Sequence, residues 1–291
     1  MKPAPFKYIA AASLDQALQQ KAEYGDEARF LAGGQSLVPT LNFRLAQPGV
    51  LIDINPIETL SSIARANGNA IRIGALTRYR MLERDALVAG AIPLMAEALP
   101  HIAHPQIRNR GTLGGNIAHA DPASEMPAIV VAMGGRMRAQ SAKAERWVDA
   151  HDFFLAPLTT TLHDDEMLVE IELPLAPPGS GSCFMEVARR RGDFAMAGIA
   201  LTLTIDDSGT CSALRMALCG AGETPVDATE AAAGLIGHTV DEAAIGEVAA
   251  SVQKSIDPPG NMQASKEFQR HLVGVLVQRA LLTALERARN G

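Results

Sequence analysis

Cysteine is scarce in this chain. Of 291 residues only Cys183, Cys211 and Cys219 are cysteine, gathered in one stretch without a CxxC pair. So sparse and odd a set excludes a disulfide framework, and a zinc or iron–sulfur centre on this chain. Small core residues in strands is the ordinary reading of all three. Long apolar runs are missing too. None approaches the roughly 20 residues that cross a bilayer. No apolar stretch follows Lys2 to make a signal peptide, so a cytoplasmic protein is expected. Positive charge is not in excess: 26 Lys and Arg face 32 Asp and Glu, for a net charge of −6. Nucleic acid and anionic membranes are therefore poor candidate partners. There is no internal repeat and no low-complexity tract. No Ser-His-Asp set or carboxylate pair stands out for hydrolysis.

What is present is ordinary for a water-soluble globular chain: 47% hydrophobic and 20% charged residues. The length allows one large domain or two of usual size. The opening reads β-α-β-α-β, which implies a small, mostly parallel sheet. Its parts are a helix over 14–23 behind an N-cap at Ser13, a strand over 28–32, a helix over 36–45 and a strand over 50–54. Pro39 is tolerable in the first turn of the second helix. Next come a strand over 70–75 and helices over 77–84 and 92–99. A loop over 101–110 surrounds Pro105, and a helix covers 125–133. Strands follow over 135–140, 146–148 and 166–173. Pro174 to Ser182 is the clearest linker. Beyond it, strands over 183–190, 196–206 and 211–218 look antiparallel, the last two joined by an Asp206–Gly209 turn. Helices close the chain: 227–235, with Asp227 and Glu230 spaced as a capping box, then 241–255 and 265–289.

Two glycine turns carry the chemistry. The first, Ala32-Gly33-Gly34-Gln35-Ser36, ends a strand and opens a helix. Unpaired amides at such a place favour an anion, and glycine lets it approach. Ser36 is suited to cap the helix or to donate to a phosphate. The second turn runs Gly111-Thr112-Leu113-Gly114-Gly115-Asn116, with Ser124 and Glu125 after it as further polar groups. Either turn alone is equally served by a plain structural role. Neither has the GxGxxG spacing or the P-loop lysine. Together they suggest a pyrophosphate gripped from two sides.

These turns, with Pro105-Gln106-Ile107-Arg108-Asn109-Arg110 between them, resemble the FAD-binding medium subunit of the molybdenum hydroxylases. That family includes carbon monoxide dehydrogenase and the flavin part of xanthine dehydrogenase. The likeness continues through Phe43 to Pro48, Leu51 to Ile54, Ile73 to Thr77, Leu168 to Ile171, Arg191 to Ala195 and Thr224-Pro225. It implies an α+β fold: a two-subdomain FAD-binding domain of the PCMH/vanillyl-alcohol-oxidase kind over 1–175, split near residue 55. A carbon monoxide dehydrogenase flavoprotein-type C-terminal domain over 180–291 would follow, as a three-stranded antiparallel sheet with a helix bundle.

The resemblance also implies roles. Ala32, Gly33, Gly34, Gln35, Ser36 and Leu37 would hold the pyrophosphate. Thr112, Gly115 and Asn116 would reach the pyrophosphate and ribityl chain from the other side. Glu125 would bond ribityl or ribose hydroxyls. Ile102 and Ala103 would line the adenine or ribose side, Leu168 would pack on the cofactor, and Asp193 and Phe194 would approach the isoalloxazine. FAD would be non-covalent, since the first turn has Gln35 where some related flavin folds attach FAD through histidine. Met196 stands where NAD-reducing relatives have lysine, which disfavours NAD as acceptor. The molybdenum cofactor and the 2Fe-2S clusters would sit on a large and a small partner subunit, in a dimer of heterotrimers. A self-contained FAD oxidoreductase and a flavin-free scaffold are the rival readings. His101, His104 and His119 gather near the second turn, as surface or supporting groups rather than metal ligands.

Overall fold

The computed structural model describes residues 2–66 and 68–290. Three sheets organise it. The first is parallel, in the order β1 (Lys7–Ala10), β3 (Val50–Asp53), β2 (Ala28–Leu31). The helix Leu14–Tyr24 crosses from β1 to β2, and Ser13 caps it by accepting from Gln16 N at 3.2 Å. The expected parallel opening is thus present. Its helix Leu37–Asn42 is shorter than the apolar spacing suggests.

The second sheet has five antiparallel strands, β4 (Ile63–Ala66), β5 (Ala70–Gly74), β10 (Met167–Pro174), β6 (Arg136–Gln140) and β7 (Glu145–Asp149), in that order. A hairpin of β8 (Phe154–Ala156) and β9 (Thr159–Thr160) projects from the chain between β7 and β10. The third sheet runs β11 (Ser180–Ala188), β12 (Ala195–Ile205), β13 (Cys211–Cys219), β14 (Val226–Asp227), all antiparallel.

The third sheet is buried on both faces. Ile199, Leu201 and Leu203 of β12 pack with Val273, Leu276 and Val277 of the helix Lys266–Asn290. On the other face Phe184, Ala200 and Cys219 join the core built around the helix Glu125–Ala132. All eight residues of that helix are buried, as suits a helix apolar on every side. Arg287 of the last helix makes a bidentate pair with Glu97, at 2.8 Å for both contacts. Glu97 also accepts from Phe184 N at 2.9 Å. Among the described residues no helix is long and apolar enough to cross a membrane.

Several expectations need correction. The 101–110 stretch is not all loop: Pro105–Arg108 is a short helix, with Pro105 in the first turn where its missing N–H costs nothing. The helix expected over 77–84 shrinks to Tyr79–Leu82, because Thr77 and Gly111 are tied to other segments through Leu113 N and Tyr79 N. Asp227 and Glu230 form no capping box. Asp227 ends the edge strand β14 and accepts from Thr229 N at 3.0 Å, so the helix is only Thr229–Ala232. That edge strand makes the third sheet four-stranded rather than three-stranded. The linker also narrows, because β10 extends to Pro174 and β11 begins at Ser180.

Gly181 shows how tightly the last helix lies on β11: a Cβ there would fall 1.9 Å from Ala284 O and 2.6 Å from Ala288 N. Backbone cannot yield as a side chain can. Gly181→Ala should lower unfolding stability by about 2 kcal/mol or more. Urea denaturation of the full chain, with an unchanged slope, would register it as a fall in midpoint.

Candidate functional site

The first glycine turn leaves the carboxyl end of β2, where a parallel sheet offers its binding crevice. Between Ala32 and the helix that follows, Val38 N is the first amide to bond a backbone carbonyl, that of Gly34 at 3.0 Å. The amides before it are helix-start donors without intrahelical partners. Gly34 has φ of 72°, a left-handed conformation that glycine adopts without strain. Ser36 precedes the helix but makes no side-chain cap, so its hydroxyl is free of that duty.

The second turn is a helix start, not a free loop. Thr112 caps the helix Leu113–His119 by accepting from Gly115 N at 3.1 Å. Gly114 is pressed against the end of β5, where a Cβ would lie 2.4 Å from Ala75 Cβ. Gly115 is similarly constrained: a Cβ would sit 2.7 Å from the capping Thr112 Oγ1.

The two turns touch. A Cβ on Gly33 would fall 2.5 Å from Arg110 O and 3.0 Å from Gly111 Cα. A polar network behind them fixes the contact. Asn55, just past β3, donates to Ala32 O at 2.9 Å and accepts from Arg78. Arg78 also donates to Arg110 O. Burial lowers the Arg78 pKa, with neighbouring Arg110 adding to the effect. Asn55 and Arg78 were not among the residues picked from sequence. Asn55 sits just past the end of the parallel strand β3, which was an available signal. Arg78, past the end of the antiparallel β5, lacks that signal.

Together the turns floor a cleft of about 890 Å3. All fifteen expected residues line it: the stretch Ala32 to Leu37, then Ile102, Ala103, Thr112, Gly115, Asn116, Glu125, Leu168, Asp193 and Phe194. Tyr79, His119 and the hairpin tip Leu158–Thr160 line it as well. Arg108, buried and paired with Glu83 at 2.8 Å, donates to Ile102 O at 2.9 Å and Ala103 O at 3.1 Å. It thereby holds Ala103 in a left-handed turn with φ of 44°. Gly192 packs on that turn, since a Cβ there would lie 2.7 Å from Ala103 O. The Ile102–Ala103 wall and the segment carrying Asp193 and Phe194 are therefore neighbours, so residues expected on the adenine or ribose side share one end of the cleft with those expected at the isoalloxazine.

Polar groups in the cleft lack protein partners. Asn116 donates to Ser124 Oγ at 2.6 Å, but its buried Oδ1 accepts from nothing among the described residues. The buried Tyr79 hydroxyl is likewise unpaired, and burial raises its pKa well above the ordinary value. Burial also pushes the Glu125 carboxyl up to about 7. His101 bonds Glu186 at 3.2 Å, and that bond raises the imidazole pKa. The three cysteines are buried and free. Among the described residues no group of three or more His, Cys, Asp or Glu is placed to hold a metal.

A glycine-floored cleft with orphaned acceptors suits a long polar ligand with phosphates and hydroxyls. The sequence comparisons agree. Residues 4–176 match the model of the FAD binding domain in molybdopterin dehydrogenase. The chain belongs to that family. Residues 182–284 match the carbon monoxide dehydrogenase flavoprotein C-terminal domain. The 6-hydroxypseudooxynicotine dehydrogenase complex subunit alpha of Paenarthrobacter nicotinovorans is 39% identical, over 99% of this chain and 97% of that one. Caffeine dehydrogenase subunit beta of Pseudomonas sp. (strain CBB1) is also 39% identical, over the same shares. The solved carbon monoxide dehydrogenase of Hydrogenophaga pseudoflava, a form lacking the Mo-pyranopterin moiety, superposes with a TM-score of 0.95 at 36% identity, covering 99% of each chain. Quinoline 2-oxidoreductase from Pseudomonas putida 86 gives 0.93 at 35%, again over 99% of each. The fold is that of these medium subunits, the cofactor is FAD, and the chain is an oxidoreductase subunit.

The Glu125 carboxyl supplies a pH test. Its folded pKa of about 7 lies above the unfolded value near 4.5, so its contribution is full below pH 4.5 and is lost as pH rises through 7. The difference amounts to about 3 kcal/mol. In flavin-free protein, stability should fall across this window in wild type relative to Glu125→Gln. Parallel denaturation curves at pH 5 and pH 8 check the sign.

Proposed function

We propose that this chain is the FAD-holding electron-transfer subunit of a three-subunit molybdenum hydroxylase. Bound FAD would supply redox chemistry that takes electrons from 2Fe-2S clusters on a small partner and passes them to an external acceptor. Hydroxylation itself would occur at a molybdenum cofactor on a large partner. With the few, buried cysteines here, the clusters must lie elsewhere. The organic substrate would be selected on the large subunit. The complex would be a cytoplasmic dimer of heterotrimers.

One observation carries the assignment of residues: every side chain and turn expected to touch FAD borders a single cleft whose two glycine turns meet backbone to backbone. The amides of Gly33 to Leu37 would receive the pyrophosphate. The second turn, whose Leu113, Gly114, Gly115 and Asn116 amides already bond within the protein, would meet it through side chains. Both helices behind these turns are short, so local N–H groups do more of this than a long dipole could. Ser36 and Thr112 have hydroxyl protons to donate. Asn116 Oδ1 would accept from a cofactor hydroxyl, and Glu125 from a ribityl or ribose hydroxyl. Ile102, Ala103 and Leu168 would give apolar walls, with Asp193 and Phe194 nearest the isoalloxazine. No histidine lies in the first turn, which supports non-covalent binding. Met196 offers no charge to a dinucleotide, which favours oxygen, a quinone or another carrier over NAD.

The test is the visible spectrum of the chain alone and co-expressed with its partner subunits. Flavin bands near ~375 and ~450 nm, released as FAD on mild denaturation, are expected. FMN, or no flavin in either preparation, would remove the reading. Gly33→Ala should drive the turns apart and cut FAD content about tenfold or more, with the circular dichroism of the chain unchanged. Substrate turnover by the chain alone would favour the self-contained oxidoreductase instead. In the assembled complex, NAD should accept electrons far more slowly than an artificial quinone, followed by flavin bleaching and return.

A further inference from the structure

Leu158 occupies a position that neither backbone preference nor burial explains. It is the second residue of a two-residue turn closing the β8–β9 hairpin, whose last paired residues are Ala156 and Thr159. Pro157 sets the first turn position, and the next commonly falls to glycine because its φ is positive. Leu158 takes that place with φ of 56°. A leucine there costs free energy that glycine would not. Nor is the side chain repaid by the core, since it is 58% exposed. What it borders is the cleft.

The hairpin is held firmly, so Leu158 is a fixed wall. Leu158 N donates to Ala120 O at 3.0 Å, and Ala120 is the left-handed residue that ends the helix begun at the second glycine turn. At the hairpin base Thr161 N bonds Phe153 O at 2.9 Å. Arg146 reaches Thr161 O at 2.6 Å and grips Glu166 with contacts of 2.8 and 2.7 Å.

Its place along the cleft also follows. The helix Leu113–His119 separates Leu158 from the phosphate-facing turn by about 11 Å, the rise of seven residues. That is beyond reach of a phosphate and within reach of a ring system one sugar or ribityl arm away. Two residues past Ala120, Pro122 O accepts from Gly220 N at 2.8 Å. Gly220 in turn lies against the carbonyls of Ala195 and Met196. This chain of contacts joins the segment bonded to Leu158 to the one that carries Phe194, and both side chains border the cleft, Phe194 being 64% exposed.

The geometry points to Leu158 as a direct apolar contact of the flavin ring system, making with Phe194 the mouth of the cleft. This rests on the FAD reading above. The strain at Leu158 is retained because glycine, the relaxed choice, would leave the ring uncovered.

The experiment compares wild type, Leu158→Gly and Leu158→Met in the full chain co-expressed with its partner subunits. It measures FAD per polypeptide, the Kd for FAD of deflavinated protein, and the Tm of that deflavinated protein. Leu158→Gly should keep or raise the deflavinated Tm while weakening FAD about fivefold or more. Leu158→Met, which keeps apolar cover and the strain, should stay within about twofold of wild type. Wild-type FAD affinity in Leu158→Gly overturns the assignment. So does a lowered Tm in deflavinated Leu158→Gly, which would make the side chain a support of the fold. Wild type that takes up no FAD fails earlier, before any variant is compared, and overturns the FAD reading together with this one.

Discussion

The cleft depends on backbone meeting backbone. Gly33 lies on Arg110 and Gly111, Gly114 on Ala75, and Gly115 on its own capping threonine. Each leaves too little room for a side chain, Gly33 and Gly114 against backbone and Gly115 against the capping hydroxyl of Thr112. The result is a floor made of peptide groups. Amide dipoles can bind an anion with no charged side chain to desolvate, and with little conformational entropy left to lose. Asn55 and Arg78 clamp the same carbonyls from behind, Ala32 O and Arg110 O, so both turns are placed by one network.

That floor is bordered by polar groups the protein does not satisfy. The Asn116 Oδ1 and the Tyr79 hydroxyl are buried without partners among the described residues, and each such group costs about 1–3 kcal/mol. The Glu125 carboxyl is held in a site that resists its ionisation. The fold tolerates them because large cores flank the cleft, among them the wholly buried helix Glu125–Ala132. A ligand that supplied the missing hydrogen bonds would stabilise the native state by mass action, which ties folding to cofactor loading.

Much of this was legible in the chain, for identifiable reasons. The turns announce themselves because glycine is obligatory at a close approach. The parallel opening follows from apolar spacing and a serine cap at Ser13. Fifteen residues named through family likeness line one cleft. Other features were hidden. That the two turns touch is a long-range fact, across nearly eighty residues, on which local pattern is silent. The second turn read as a loop because Leu113 to Ile117 is too short for helical periodicity to register, although Thr112 is a good N-cap. The Asp227–Glu230 spacing misled because pairing with β13 drew Asp227 into a strand. Leu158 gave no signal at all, since a Pro-Leu turn looks like an unremarkable loop until its φ is known.

The C-terminal sheet is part of the site and not an appendage. The helix that begins with Glu125 is packed between that sheet and the core of the cleft domain, so the carboxyl's place is set by both. Gln269, fully buried on the last helix, donates to Met196 O at 3.0 Å and Gly220 O at 2.9 Å, and accepts from Gly260 N at 2.9 Å. Those carbonyls adjoin the segment that carries Asp193 and Phe194 to the cleft. Every hydrogen-bonding group of the Gln269 amide toward that segment is thereby committed, and a shift of the helix would have to break buried bonds to follow it. The glycine floor sets one end of the cleft, and the packed helix and sheet set the other.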